Sequence, residues 1–427
     1  MSILIILGII FVAVFLGMPV AFAFIFGTSV YLYVEGAYPL TVIASRLGTG
    51  LDSFPLLALP LFIFAGNLLG GSGVARRIFD FANSAVGHIR GGLGHVNVFA
   101  SIIFAGMSGV AMADAAGLGK IEMEEMERHG YPKDFSAAIT AASATIGPII
   151  PPSGIMVLYA VLANIALDKL FLAGFIPGLM LGGFLMISIY FMVKLGKVKV
   201  GLLPKEPLRV RLKNFVRAAP ALAIPVFLVT GLITGVATPT ELGALTCLAA
   251  IILGFAYKDL NLRTFYLCAV ETVKTTGILG MLILVAAPFT WLSGVGNVGD
   301  LLLNFMNGLT TNPWVFLALI NVILLVAGMF METSVVLLIA VPILAPIATS
   351  YGIDPVHFAM VMLVNLLMGT LTPPFGSLLF VMMNQTGLSL HQMFRAIAPF
   401  YFPFLAFLLV ITYIPVVTTF LPNLFGN

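Results

Sequence analysis

Charge is what this chain has least of. Of its 427 residues only 9% are Asp, Glu, Lys or Arg, 60% are hydrophobic, and the mean hydropathy is +1.13. So few charges cannot clothe a water-soluble fold of this size, which leaves a polytopic helical membrane protein. Cysteine is nearly missing too: Cys247 and Cys268 lie in or beside apolar segments and read as small core residues, not as a disulfide or a metal pair. The histidines (His88, His95, His129, His357, His391) show no metal-ligand spacing, and no Gly-x-x-x-x-Gly-Lys phosphate loop exists, so nothing here would hydrolyse ATP. No nucleic-acid-binding pattern is present. The first apolar stretch, 3–34, has no charged leader before it and no small-residue cleavage site after it, which argues against a cleaved signal peptide.

The scarce charges are unevenly placed. Between Lys194 and Arg217 stand eight basic residues (Lys194, Lys197, Lys199, Lys205, Arg209, Arg211, Lys213, Arg217) and one acid, Glu206, whereas 275–394 holds no Lys or Arg. By the positive-inside rule the 194–217 loop is cytoplasmic. It also separates two halves, 1–200 and 218–427, with 201–217 as a basic linker.

Glycine and proline, by contrast, are plentiful (43 and 25), and they recur in a pattern. Gly147-Pro148-Ile149-Ile150-Pro151-Pro152-Ser153-Gly154 is echoed 222 residues later by Gly369-Thr370-Leu371-Thr372-Pro373-Pro374-Phe375-Gly376. Prolines remove backbone donors and break a helix, and lipid tolerates a break only where protein or a water-filled cavity surrounds it. Two such breaks at matching positions point to a transporter's binding site. Aligned at that shift, 105–178 matches 327–400 at eleven positions, seven of them Gly or Pro.

Apolar stretches of crossing length, about 20 residues, fall near 54–72, 136–165, 171–193, 218–236, 241–257, 275–292, 357–383 and 397–421. Gly17-Met18-Pro19 divides 3–34 into two short crossings. The expected total is ten, five per half, so the repeat is inverted and both termini are periplasmic. The segments 93–127 and 314–349, each interrupted by small residues (Gly106-Met107-Ser108-Gly109 and Gly328-Met329-Phe330-Met331), read as re-entrant helical hairpins, with ordinary pairs of short spans as the alternative. Basic residues flank the first hairpin and are missing around the second, as expected for entry from opposite faces. A short amphipathic helix, 80–90 with Arg76 and Arg77 before it, reads as an interfacial arm.

Hairpin tips facing broken helices expose carbonyls for a cation and N–H groups for an anion. For a hard ion such as Na⁺ the first-half candidates are Gly106, Ser108, Gly109, Ser143, Thr145 and Gly147, and the second-half candidates are Gly328, Met331, Thr333, Gly369, Thr370 and Thr372. Any single Ser or Thr among them can equally back-bond to its own helix. Ser153, Asn164, Asn365 and Ser377 are candidates for a polar solute. With no arginine in either break, a carboxylate would rest on helix N-termini and hydroxyls. Asp114, Glu241 and Glu332 are intramembrane acids, and Asp114 and Glu332, being in the hairpins, suit coupling or gating, with a structural role the alternative. The run Glu122, Glu124, Glu125, Glu127 reads as a solvated hairpin end.

The Leu59-Pro60-Leu61-Phe62 to Gly66 stretch, Ala105-Gly106-Met107-Ser108-Gly109 with Ala113-Asp114, and the two Gly-Pro breaks together resemble the large membrane subunit of tripartite ATP-independent periplasmic (TRAP) transporters along the whole chain. That resemblance implies an elevator-type ion-transporter fold in the bacterial inner membrane. It also implies Na⁺-driven uptake of an organic anion such as a sialic acid or a C4-dicarboxylate, a separate small four-helix membrane subunit and a periplasmic substrate-binding protein. Hairpin tips would be 106–109 and 328–332, and unwound segments 147–153 and 369–375. Ser108 and Ser153 face Phe330 and Phe375 at the repeat-related positions, so the two cation sites would be unequal. An intramembrane enzyme lacks a catalytic pair within one helix turn, and an ion channel has no need of a Pro-broken inverted repeat. The remaining alternative is a stand-alone Na⁺/dicarboxylate symporter without a binding protein.

Overall fold

In the computed structural model the chain is described over residues 3–426, apart from 37, 53, 197, 199 and 201–203, so Lys197 and Lys199 of the basic loop lie outside the described residues. All regular structure among the described residues is helical. Seven helices are long and apolar enough to cross a bilayer, or eight if a bent pair counts as one span. The chain is a multi-pass membrane protein.

The ten expected crossings resolve differently because proline and glycine cut several of them. The stretch 3–34 is two helices, Ile3–Phe15 and Val20–Glu35, divided at Gly17 and Pro19. The 397–421 stretch is not one crossing: Leu390–Tyr413 ends before Pro415, and a separate helix, Val416–Phe425, follows. The 275–292 stretch is the apolar part of a 34-residue helix, Leu262–Val295, whose first turns carry Arg263, Glu271 and Lys274. At 1.5 Å per residue it is about 50 Å long, well beyond the hydrocarbon thickness, so its charged turns can stand in the headgroup layer. Thr41–Gly50 and Val298–Leu309 are short helices outside any expected span.

The interrupted segments are each split into helices near the small-residue interruptions, and both limbs of the second, Pro313–Phe330 and Thr333–Ser350, are themselves of crossing length; these helix groups are called hairpins below. The first hairpin pairs Gly92–Ser108 with Ala111–Ala116 and Leu118–Arg128, and the second pairs Pro313–Phe330 with Thr333–Ser350. The broken helices are Lys133–Ala144 with Gly154–Ala163, and Pro355–Gly369 with Ser377–Thr386. Gly130 and Gly352, which follow the two hairpins 222 positions apart, both adopt left-handed φ (+78° and +75°), a turn geometry that penalises any residue with a Cβ. From Phe135 to Ala144 and from His357 to Gly369 every residue is buried, as in helices with protein on all sides. Around this centre the halves interlock: Gly154–Ala163 packs on the second hairpin's Thr333–Ser350, and Ala111–Ala116 of the first hairpin packs on Ser377–Thr386.

The arm exists with shifted bounds. Ala58–Gly71 turns by 70° into Val74–Val86, which buries Val74, Ile78, Phe79 and Ala82 and leaves its arginines outward. Arg76 reaches Glu125 of the first hairpin at 2.9 Å, and Arg77 reaches Asp259, between two outer helices, at 2.6 Å.

Two readings of acids need correction. Glu241 is not an intramembrane functional acid: with Thr238 it forms a capping box at an exposed helix start, accepting from the Thr238 N–H at 2.7 Å while its own N–H donates to the Thr238 hydroxyl at 3.3 Å. The acidic run is not a solvated end throughout, since Glu122 and Glu125 are buried. Replacing an N-cap side chain costs about 1 kcal/mol. Thr238→Ala is therefore expected to lower the unfolding temperature in detergent by a few degrees with uptake unchanged; a loss of uptake at unchanged stability would return Glu241 to the functional set.

Candidate functional site

The first hairpin tip meets the first break through glycine. Gly109 sits in the left-handed region (φ +65°), and a Cβ on it would run into the carbonyl oxygen of Pro152. On the hairpin's other side Gly66 approaches so closely that a Cβ would lie 2.9 Å from the Ser108 carbonyl oxygen. Into this junction the chain places Asp114. The Ser108 hydroxyl donates to Asp114 Oδ1, and Asp114 Oδ2, buried and without a hydrogen-bond partner, occupies the space a side chain on Gly147 would need. A buried carboxylate oxygen with no donor is costly unless a cation or a proton meets it. On that observation Ser108, Asp114 and the carbonyls leading to Gly147 fit a small hard cation.

The other first-half candidates are partly committed. Ser143 donates to Asn97 Oδ1 at 2.6 Å, and Thr145 back-bonds to the Ala142 carbonyl at 2.7 Å. Gly106 packs against Pro225 of an outer helix, with a Cβ there 2.6 Å from the proline Cβ, and so stands back from the ion junction. Glu122, buried with Oε1 unpartnered, lies within electrostatic reach of Asp114; sequence reading missed it because neighbouring glutamates masked its apolar face.

The second junction is also a backbone contact. A Cβ on Gly369 would lie 2.6 Å from the Gly328 Cα, so the tip and the broken helix touch backbone to backbone. The Phe375 N–H donates to the Met329 carbonyl at 3.2 Å, which ties the unwound segment to the tip beside Met331. Thr370 and Thr372 back-bond to Leu367 and Met368 at 2.6 and 2.9 Å, leaving backbone carbonyls as the cation donors here. Phe330 and Phe375 pack against each other, centroids 6.0 Å apart and rings tilted by 50°, where the first half has Ser108 and Ser153.

Between the junctions lies a cavity of about 350 Å³ to which both tips, both breaks and Thr275 of the long outer helix contribute. Gly154, Thr333 and Ser377, the first residues of three helices, line it together with Thr370 and Glu332. Free N–H groups at such ends favour an anion. No Lys or Arg among the described residues lines the cavity. Its acid, Glu332, is engaged as an N-cap, accepting from the Ser334 N–H at 3.0 Å and from the Ser334 hydroxyl.

The solute candidates divide. Ser377 lines the cavity, and Ser153 caps the helix that begins at its wall, accepting from the Met156 N–H at 3.4 Å. Asn164 is exposed at the far end of that ten-residue helix, about 15 Å away. Asn365 is buried in a staple, donating to Asn321 Oδ1 at 2.8 Å while Asn321 donates to Thr412 at 2.8 Å. The first half has a counterpart in Asn97, which donates to Thr140 at 2.8 Å and accepts from Ser143, the residue 222 positions before Asn365.

Residues 7–417 match the family described as "Tripartite ATP-independent periplasmic transporter, DctM component". The chain belongs to the DctM family. It is 40% identical over 412 residues to the sialic acid TRAP transporter large permease protein SiaM of Vibrio cholerae, covering 96% of each chain. It is 39% identical over 385 residues to the C4-dicarboxylate TRAP transporter large permease protein DctM of Pseudomonas aeruginosa, covering 90% of each. The solved structure of the Alcanivorax borkumensis YdaH transporter superposes with a TM-score of 0.64 at 15% identity, over 87% of this chain and 88% of that one, and so shares its fold. This DctM-family chain is a transporter permease component and not an enzyme.

Overpacking a tight contact costs about 1–3 kcal/mol. Gly369→Ala is expected to lower the initial uptake rate roughly tenfold by forcing the second tip from its break, whereas Gly70→Ala, whose Cβ would meet nothing nearer than 3.9 Å, should leave it unchanged. Equal rates in both variants, at equal membrane abundance, would show that the Gly328–Gly369 contact does not matter.

Proposed function

We propose that this chain is the large permease subunit of a binding-protein-dependent secondary transporter of the bacterial inner membrane, importing an organic anion of the sialic acid or C4-dicarboxylate class together with Na⁺. The observation that carries this reading is the cavity itself, where three helix N-termini and a few hydroxyls stand among apolar side chains, with no Lys or Arg among the described residues that line it, between the two junctions. Relatives named for sialic acid and for C4-dicarboxylates support the solute class. The partners are a small four-helix membrane subunit and a periplasmic binding protein, and membership in a tripartite family argues against the stand-alone symporter.

Na⁺ supplies positive charge beside the solute carboxylate, where the protein offers no arginine. In the first site Ser108 and Asp114 join the carbonyls around Gly109 and Gly147, with the hydroxyls of Ser143 and Thr145 as outer donors. In the second, carbonyls of Gly328, Met331, Gly369, Thr370 and Thr372 are joined by the Thr333 hydroxyl. Glu332 holds the second tip closed through Ser334 and serves gating, while Asp114 serves coupling. The solute rests on the N–H groups at Gly154 and Ser377. The halves are related as an inverted repeat, and the interlocked hairpins and broken helices move as one body against the outer helices, an elevator motion for which the bent arm is the joint.

Removing the acid should uncouple the ion from the solute. In proteoliposomes supplied with loaded binding protein, Asp114→Asn and Ser108→Ala are expected to lose most of the stimulation by an inward Na⁺ gradient; stimulation equal to the parent in both would place the ion elsewhere. Cysteine accessibility at Ser350 and at Arg128, the outer ends of the two hairpins, should report opposite membrane faces, and labelling from one face would overturn the inverted repeat.

A further inference from the structure

A second cavity lies on the arm, far from the solute path and on the side that the basic residues mark as cytoplasmic. It measures about 650 Å³ and is lined by Arg76, Arg77 and Arg217 with Asp80, Tyr257 and Asp259. Its floor is organised: the Arg77 guanidinium lies 3.8 Å from the centre of the Tyr257 ring, the Tyr257 hydroxyl donates to the Arg217 carbonyl at 3.2 Å, and Asn214 donates to the Asp80 carbonyl at 3.4 Å. Arg77 is paired with Asp259, and Arg76 with Asp80 and Glu125, whereas Arg217 stands exposed at the rim. Lys213, one helical turn earlier, adds to the positive rim.

At Pro220 this polar cavity meets an apolar one. Pro220 lines both, and the second, about 370 Å³, runs between Leu208–Thr234 and Pro239–Ala256 along Ile224, Phe227, Leu245, Leu248 and Ile252. From Pro220 to Phe227 is about 10 Å along the helix axis, most of one leaflet's hydrocarbon depth of roughly 15 Å. Arginines above an apolar groove that runs most of a leaflet's depth match an amphiphile with an anionic head. Arginine binds phosphate in bidentate fashion, and basic pockets on the cytoplasmic side of membrane proteins take phospholipid heads.

We propose that the Arg76–Arg77–Arg217 cavity and the groove below Pro220 form one binding site for an anionic phospholipid of the cytoplasmic leaflet, its phosphate at Arg217 and one acyl chain between Phe227 and Leu248. This goes beyond the transport reading and stands whether or not that reading holds. The lipid head sits where the arm's two ion pairs part, one to the hairpin body and one to the outer helices, so its occupancy bears on how freely the arm turns.

The test uses the full chain co-expressed with its small subunit, extracted in mild detergent, delipidated and titrated with phosphatidylglycerol or phosphatidylcholine under native mass spectrometry. Phosphatidylglycerol is expected to be retained at least fivefold more than phosphatidylcholine. That preference should fall about fivefold in Arg217→Gln, and Leu248→Trp, which fills the groove, should reduce retention of both lipids. Arg263→Gln, outside the cavity, should change neither. Equal retention of the two lipids, or an Arg217→Gln variant that binds like the parent, overturns the proposal. So does cross-linking of a cysteine at Leu248 to the small subunit in the intact complex, which would make the groove a helix seat.

Discussion

Everything in this fold answers to one constraint: a peptide group inside a bilayer must find its hydrogen-bond partner within protein or in a cavity. The two prolyl breaks violate helical continuity at the centre of the chain, and they persist only because each is plugged by a hairpin tip at backbone distance. Glycine makes that approach possible. Gly66, Gly109 and Gly147 clear the first junction and Gly328 and Gly369 the second, and in each case a side chain would enter space already held by backbone or by the Asp114 carboxyl. In the proposed reading the carbonyls left unpaired by the breaks hold the ion and the freed N–H groups hold the anion, so the defect and the proposed site are the same atoms.

Much of this was legible in the sequence because glycine and proline report backbone directly. The interruptions at 106–109 and 328–331 coincide with observed helix ends at Ser108 and Phe330. What misled was hydropathy used without its neighbours. Glu241 lies in an apolar context yet caps an exposed helix, and Glu122 looks solvated beside Glu124 but faces inward, because a helix turns 100° per residue and adjacent acids need not share an environment. Asn365 reads as a solute ligand on its polarity alone, but its partner Asn321 is distant in sequence, and no single-chain pattern announces such a staple.

The halves agree in backbone and differ in side chains. Both carry left-handed glycines after the hairpins and polar staples between hairpin and broken helix, but where the first has Ser108, Asp114 and Ser153, the second has Phe330, Val336 and Phe375. Both tips carry an acid, but in different places: Asp114 turns into the first junction beside Gly147, whereas Glu332 caps its own helix through Ser334 and an aromatic pair stands at the break.

Arg76 and Arg77 are consecutive on the arm and so point about 100° apart, one grasping Glu125 and the other Asp259. No rotation of that short helix keeps both grips if the bodies they hold slide as proposed. Under that proposal the arm would act as a two-fingered ratchet pawl, the weaker handhold fixing which end swings first and the surviving one becoming the pivot.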